Sequence, residues 1–324
     1  MWKPLKLAPW LIAAGVAWSF GFTYNVVRGG ELSWLRMMYE AKIANAAQVK
    51  ASKRLLITGG SGAHYTINAK VLEQGLGIPV LNLGLDGPIG LNVILPSILP
   101  AVRPGDVVLL VPEYLLLLGD NNPPNRPDDG FGDRSGSFGT AIGRPGLGGL
   151  PPKQLAQDLW TLGIPSLRSL TKSALDLLEK GQLTGYYSDP VDDRGDPTVT
   201  KVRTGKWWKL RIDQPISPTA FQRIARFRQE VEARGATLII SLPWIYGSSD
   251  RQTVTNVQKT AQALATIAPL IYEQDTFNIK KDSHLFADTH YHLLPEARKI
   301  RAEELVEQLK PLLNAQDKAS HNEQ

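Results

Sequence analysis

The chain has 324 residues, 43% of them hydrophobic, no cysteine, and a formal net charge of +5. That length buries a sizeable core in one large domain or two small ones, and the lack of cysteine excludes disulfides, thiolate metal sites and a cysteine nucleophile. The basic residues are spread out, with Lys206-Trp207-Trp208-Lys209 as a single basic–aromatic patch, so the pattern indicates no nucleic-acid partner.

Residues 7–27 are uncharged and largely apolar, preceded by Lys3 and Lys6 and followed by Arg28. About 20 such residues cross a bilayer once, with Trp2, Trp10, Trp18 and Tyr24 as interface anchors. A cleaved signal peptide, cut near Ala14-Gly15-Val16-Ala17, would have a rather short apolar core. The reading is therefore an uncleaved anchor over residues 1–33. Positive charge divides almost evenly across it, with Arg28, Arg36 and Lys42 on the far side.

Residues 34–50 predict a helix with Trp34, Met37, Met38, Ala41 and Val49 near one face. Leu55 to Ile57 reads as a buried strand, broken by Gly59-Gly60 and followed by Ser61 and a helix over 65–74. A serine at such a turn exposes its Oγ beside unpaired helical N–H groups, the setting a nucleophile needs. It also suits a plain helix N-cap. Residues 79–85 form a second strand ending near Gly84. A turn at Asp86-Gly87-Pro88 leads to a helix over 89–99 bent at Pro96, and Pro104-Gly105-Asp106 to a strand over 107–111. Strand–helix alternation with continuous apolar strands predicts a parallel sheet covered on both faces. Ligands of such sheets sit beyond the strands' carboxyl ends, where Ser61, Gly84 and Pro112-Glu113-Tyr114 fall. Glu113 itself is expected to pair with an arginine at that edge.

From Gly119 to Pro152 the composition turns to Gly, Pro, Asn and Asp, read as a long surface loop. Residues 155–180 are helical with a break near Gly163-Ile164-Pro165. Residues 186–212 are polar and turn-rich, and Asp189, Asp192, Asp193 and Asp196 read as a solvated loop. Ser217 caps a helix that Pro218 opens and Gly235 ends. A strand over 237–242, a helix over 254–267, a short strand over 270–273 and a helix from Pro295 to about Lys310 complete the domain, with Pro311 near the helix end. The domain thus covers residues 34–315 with an insertion at about 119–212, before a polar disordered tail over 316–324.

Three of five histidines lie between His284 and His292, just before the last helix. An acid shortly before a histidine in a loop orients the imidazole and stabilises its charged form, so that it can take a proton from a serine. Asp288 lies two residues before His290 and four before His292. A metal site from His290, His292 and a carboxylate is the alternative use of the cluster. His64 reads as a surface or pocket-rim residue, and His321 as part of the tail.

Together, Gly59-Gly60-Ser61-Gly62-Ala63, Asn82-Leu83-Gly84 and Asp288 with His292-Leu293 resemble three blocks of the SGNH (GDSL-like) hydrolase superfamily. The run from Trp34 to Tyr114, with Arg103-Pro104-Gly105-Asp106-Val107-Val108 and Pro112-Glu113-Tyr114, is similar to membrane-anchored bacterial SGNH-like proteins of the cell envelope. The likeness covers roughly residues 34–118 and 217–313. It implies an α/β fold: a flavodoxin-like parallel sheet with helices on both faces and an N-terminal membrane anchor. It also implies a serine-dependent esterase or O-acyl (acetyl) transferase needing no cofactor or metal. In that reading Ser61 is the nucleophile, His292 the base and Asp288 its orienting acid. The amides of Ser61 and Gly84 hold the oxyanion, and His290 and Glu113 stand in reserve. Where the family has an asparagine donor after the third strand this chain has Glu113, which as a carboxylate only accepts. The implied substrate is an acylated envelope or extracellular polysaccharide, or a small ester. The implied location is the bacterial inner membrane, single-pass, with the catalytic domain outside the cytoplasm and envelope-biogenesis proteins as partners. A catalytically degenerate SGNH-fold binding or assembly subunit in envelope polysaccharide biogenesis is the alternative.

Overall fold

The computed structural model describes residues 7–118, 135–144, 147, 152–183, 190–199, 202–204 and 209–322. Most of the Gly119–Pro152 stretch, Asp189 and Lys206-Trp207-Trp208 lie outside them. In chain order, α1 (Ala8–Phe22) widens into a π-helical turn over Thr23–Val27. Together these make one helix long and apolar enough to span a membrane. α2 (Glu31–Gln48) leads to β1 (Leu55–Gly59), α3 (Ser61–Thr66) and α4 (Ala69–Leu76). The single helix expected over 65–74 is split, because the Asn68 side chain accepts the Val71 N–H and caps a new helix. β2 (Val80–Asn82), α5 (Leu91–Ile98), β3 (Val107–Val111) and α6 (Tyr114–Leu117) follow.

Within the region read as loop, α7 (Ser135–Ala141) forms around the buried Phe138. α8 (Pro152–Leu162) and α9 (Leu167–Lys180) come next, parted at Gly163–Pro165 as expected. α10 (Pro218–Glu232) is capped by Ser217, then β4 (Thr237–Ser241), β5 (Ile245–Tyr246) and α11 (Arg251–Ala265). β6 (Leu270–Ile271), β7 (Ile279–Lys280) and α12 (Pro295–Asn322) end the chain. Instead of stopping near Lys310 before a disordered tail, α12 runs through Pro311 to Asn322. Leu309 and Leu313 are both in the core, so packing on either side of the proline outweighs the roughly 3 kcal/mol it costs a helix.

The chain divides into two compact units, residues 1–40 with 134–189 and residues 41–133 with 190–324. The middle of the expected insertion therefore groups with the apolar N-terminal helix and not with the α/β domain. Its contacts give the reason. The Asn25 side chain donates to Leu162 O at 2.8 Å, and Tyr24 bonds Ser173 Oγ at 2.6 Å and Ser169 O at 2.8 Å. A Cβ at Gly21 would stand 1.9 Å from Gly163 O, so the two glycines permit the approach.

In the second unit the sheet order is β2-β1-β3-β4-β6, with every neighbouring pair parallel. Register aligns Leu55 with Val80 and Val107, and Val107 with Thr237. Side chains alternate between faces. Leu55, Ile57, Leu109 and Val111 pack with α4 and α12 through Leu72, Leu305 and Leu309. α5 and α10 cover the opposite face against β1 and β4, where Leu56, Leu110 and Ile240 are buried. β5 and β7 form a separate parallel pair that the sequence reading did not anticipate. At the amino end of the sheet, Arg54 forks onto Asp106, with both side chains fully buried.

Candidate active site

Strand order reverses between β1 and β3, and in such sheets the crevice beyond the carboxyl ends at that point receives ligands. The loops leaving those two strands carry Ser61 and Glu113. β1 ends at Gly59 with φ +153°, where a Cβ would lie 2.3 Å from Val111 O, so glycine is required. Gly60 takes the N-cap place and Ser61 opens α3, so Ser61 is not the cap. Its half-exposed side chain donates from Oγ to Glu113 Oε1 at 3.0 Å, and the Gly62 N–H donates to the same oxygen at 2.5 Å.

Glu113 thus meets a serine and a backbone amide, not the expected arginine. The carboxyl is fully buried in a cradle that only glycines leave open. A Cβ at Gly60 would sit 1.9 Å from Oε2, and one at Gly62 2.7 Å from Cγ. Burial raises the pKa to about 7 from an ordinary 4.5, the bonds from Gly62 and Ser61 pulling against it and the Asp86 charge adding to it. Oε2 has no hydrogen-bond partner. Burial thus favours the protonated form of Glu113, and in that form it is a donor.

The Gly84 amide, expected to face an oxyanion, donates instead to Asn82 Oδ1 at 3.0 Å. The Asn82 side chain turns back over its own strand end because its other end is held. Nδ2 donates to Asp196 Oδ1 at 2.9 Å and to the Ala63 and His64 carbonyls at 3.3 Å. Asp196 also accepts the Ala69 N–H at 2.7 Å and is buried, so this part of the acidic run is not solvated. Burial raises its pKa, opposed by Arg298 and by the bonds from Asn82 and Ala69. His64, expected at the surface or a pocket rim, is buried, with Lys42 Nζ 2.9 Å from its Nδ1. The same Nζ donates to Asn82 O at 2.9 Å.

The histidine loop closes on itself. Phe286 bridges Leu293, the Ala287 N–H donates to His292 O at 2.9 Å, and Thr289 Oγ1 accepts the N–H groups of Tyr291 and His292. That turn sets His292 Nδ1 2.7 Å from Asp288 Oδ1. The His292 ring is buried, lies 4.5 Å from the Tyr65 ring on α3, and leaves Nε2 without a hydrogen bond. Of the two candidate histidines, His292 meets Asp288 through Nδ1, and His290 gives its backbone carbonyl to the Tyr246 N–H. Ser61 and His292 are not hydrogen-bonded to each other, since Oγ is turned to Glu113. Among the described residues no group of three or more metal-ligating side chains comes together.

Two participants carried no sequence signal. The Tyr291 hydroxyl meets the backbone of Tyr114 and Leu115, and burial, followed by the nearby Glu113, holds its pKa well above the usual range. Asp196 was one acid in a run of four, and only its contacts distinguish it. The sequence matches no protein-family model and no curated protein.

Proposed function

We propose that the chain is a serine-dependent esterase or O-acyltransferase of SGNH-like, flavodoxin-like architecture. α1 would anchor it in a bacterial inner membrane, with the α/β domain outside the cytoplasm acting on an acylated envelope polysaccharide or a small ester. The observation that carries the reading is the Asp288–His292 pair, 2.7 Å apart with Nε2 free of a hydrogen-bond partner, and the His292 ring 4.5 Å from that of Tyr65 on the helix that Ser61 begins. Ser61 Oγ, released from Glu113, attacks the acyl carbonyl. His292 takes the proton through Nε2 and passes it to the leaving alcohol, while Asp288 stabilises the imidazolium. With the Gly84 amide committed to Asn82, the oxyanion relies on the Ser61 amide and on neutral Glu113. The neutral acid supplies the donor that the family's asparagine would give, much as a buried carboxylic acid can be kept protonated to donate.

The test is covalent labelling by a fluorophosphonate. Labelling is expected in the full chain and abolished in Ser61→Ala, with circular dichroism unchanged; equal labelling of the variant would remove Ser61 as nucleophile. A second reading, a degenerate binding or assembly subunit, is favoured by the engagement of the Gly62 and Gly84 amides within the chain. Glycan binding unaffected by Ser61→Ala and His292→Ala, with no labelling of the parent chain, is its signature.

A further inference from the structure

Helix α9 is built inside out. At 100° per residue, Leu167, Leu170, Ala174, Leu175, Leu177 and Leu178 fall in one arc of roughly 160°. All six are exposed, Leu167 by 81% and Leu178 by 83%. The opposite arc carries Ser169, Ser173 and Asp176, and these are the buried ones. The polar side is fully satisfied: Ser169 and Ser173 meet Tyr24 of the N-terminal helix, and Lys172 and Lys180 reach Asp176 at 2.5 and 3.1 Å. A helix in water that turns its serines and aspartate inward and its leucines outward forfeits the stabilisation of burying them. The leucine arc calls for an apolar medium.

The neighbouring helix says which. Within the same unit, α1 exposes Trp10, Leu11, Ile12, Val16 and Phe20, and its apolar stretch runs on to Val27. The α8–α9 corner meets α1 at Gly21, with Gly163 O and Pro165 Cδ nearest to a Cβ placed there. Gly21 lies six residues before Val27, about 9 Å along a helix. If α1 spans a bilayer, the corner, with Trp160 and Ile164 exposed, sits at the depth to which interfacial helices sink, roughly 5–10 Å. From there Ser169 and Ser173 both reach Tyr24, and Leu183 comes to Gly29. The chain from Gly163 to Leu183 is thus matched by the shorter stretch from Gly21 to Gly29, so α9 runs obliquely to α1, as a helix lying in the membrane surface does.

We infer that α8 and α9 form a monotopic hairpin, its corner and the α9 leucine arc immersed in the lipid of the leaflet at the Val27 end of α1. Lys172, beside the polar arc, and Lys180, at the end of the helix, are half-exposed and face the headgroups. This inference does not depend on the chemistry of Ser61. The absence of native cysteine permits single-cysteine probes. The full chain is reconstituted in phosphatidylethanolamine/phosphatidylglycerol vesicles with an environment-sensitive fluorophore at Leu167→Cys, Leu178→Cys, Glu179→Cys or Ile12→Cys. Doxyl-labelled phospholipid is expected to quench the probes at 167 and 178 to at least half the depth seen at 12, and to spare the probe at 179. Water-like emission at 167 and 178 would overturn the inference. So would dry emission insensitive to the lipid quencher, which means a second copy or another protein covers the face. Loss of quenching at 12 as well would overturn it by removing the span itself.

Discussion

Replacing Arg54 by methionine is expected to destabilise the α/β unit by about 3–5 kcal/mol, a fall in Tm on the order of 10 °C for a domain of this size. Arg54 is fully buried at the start of β1, and each of its five N–H groups has an acceptor. Nε and Nη2 fork onto Asp106 at 2.9 and 2.6 Å. The remaining three reach Ala46 O at 2.6 Å, Ala101 O at 2.9 Å and Val49 O at 3.4 Å. One side chain therefore ties the end of α2, the turn before β3 and the entries of two central strands. Methionine fills much of the volume but leaves Asp106 as a buried charge, relieved by the Arg103 N–H alone at 2.8 Å. Adding Asp106→Leu should recover part of the loss. The orphaned carbonyls of Ala46 and Ala101 would still cost about 1–3 kcal/mol each at most. Denaturant unfolding of the full chain in detergent measures both. A loss under about 1 kcal/mol in Arg54→Met would show that the clamp carries no such weight.

Glu113→Gln is expected to stabilise the fold at alkaline pH and to change how reactivity depends on pH. The folded pKa of Glu113 is raised to about 7 from 4.5, chiefly by burial, so the folded chain holds a proton that the unfolded chain releases. Stability then falls as pH rises from about 5 to 7, and the deficit is complete above the folded pKa. A shift of this size corresponds to about 3 kcal/mol. Glutamine keeps an acceptor for Ser61 and the Gly62 N–H and has no charge to bury. The variant should match the parent near pH 5 and exceed it near pH 8, with most of the gap opening in between. Denaturation midpoints at the two pH values test this, and a gap independent of pH would contradict the buried acid.

The same substitution probes chemistry. If neutral Glu113 supports the oxyanion, its ionisation puts a negative charge where negative charge develops, and parent labelling should decline above pH 7. Glutamine donates at every pH, so the ratio of variant to parent labelling rates should rise about tenfold from pH 6 to 8, a barrier difference of about 1.4 kcal/mol. Loss of labelling in Glu113→Gln at both pH values would assign the ionised carboxylate as Ser61's proton acceptor instead.

Local pattern alone determined much about this protein. An apolar run ended by glycine marked β1, one opened by the Pro104-Gly105-Asp106 turn marked β3, and Ser217-Pro218 marked the start of α10. The uncharged stretch to Val27 gave a helix long enough for a bilayer. These features rest on neighbours a few residues apart, where propensity, caps and periodicity act. Asp288 and His292 belong to the same class, because a turn closed by its own backbone brings them together. Contacts between residues far apart in the chain obey no such local rule, and only the tertiary structure decided them. Glu113 meets Ser61 across 52 residues, and the sheet interior, by taking its charged form out of water, raises its pKa. Asn82, held by Asp196 from 114 residues away, claims the Gly84 amide. The sequence marked residues 155–180 as helical, and the structure turns the leucines of α9 outward. A helix shows the period of its apolar face in its sequence, but which side is buried depends on what packs against it, and here α1 packs against the serines.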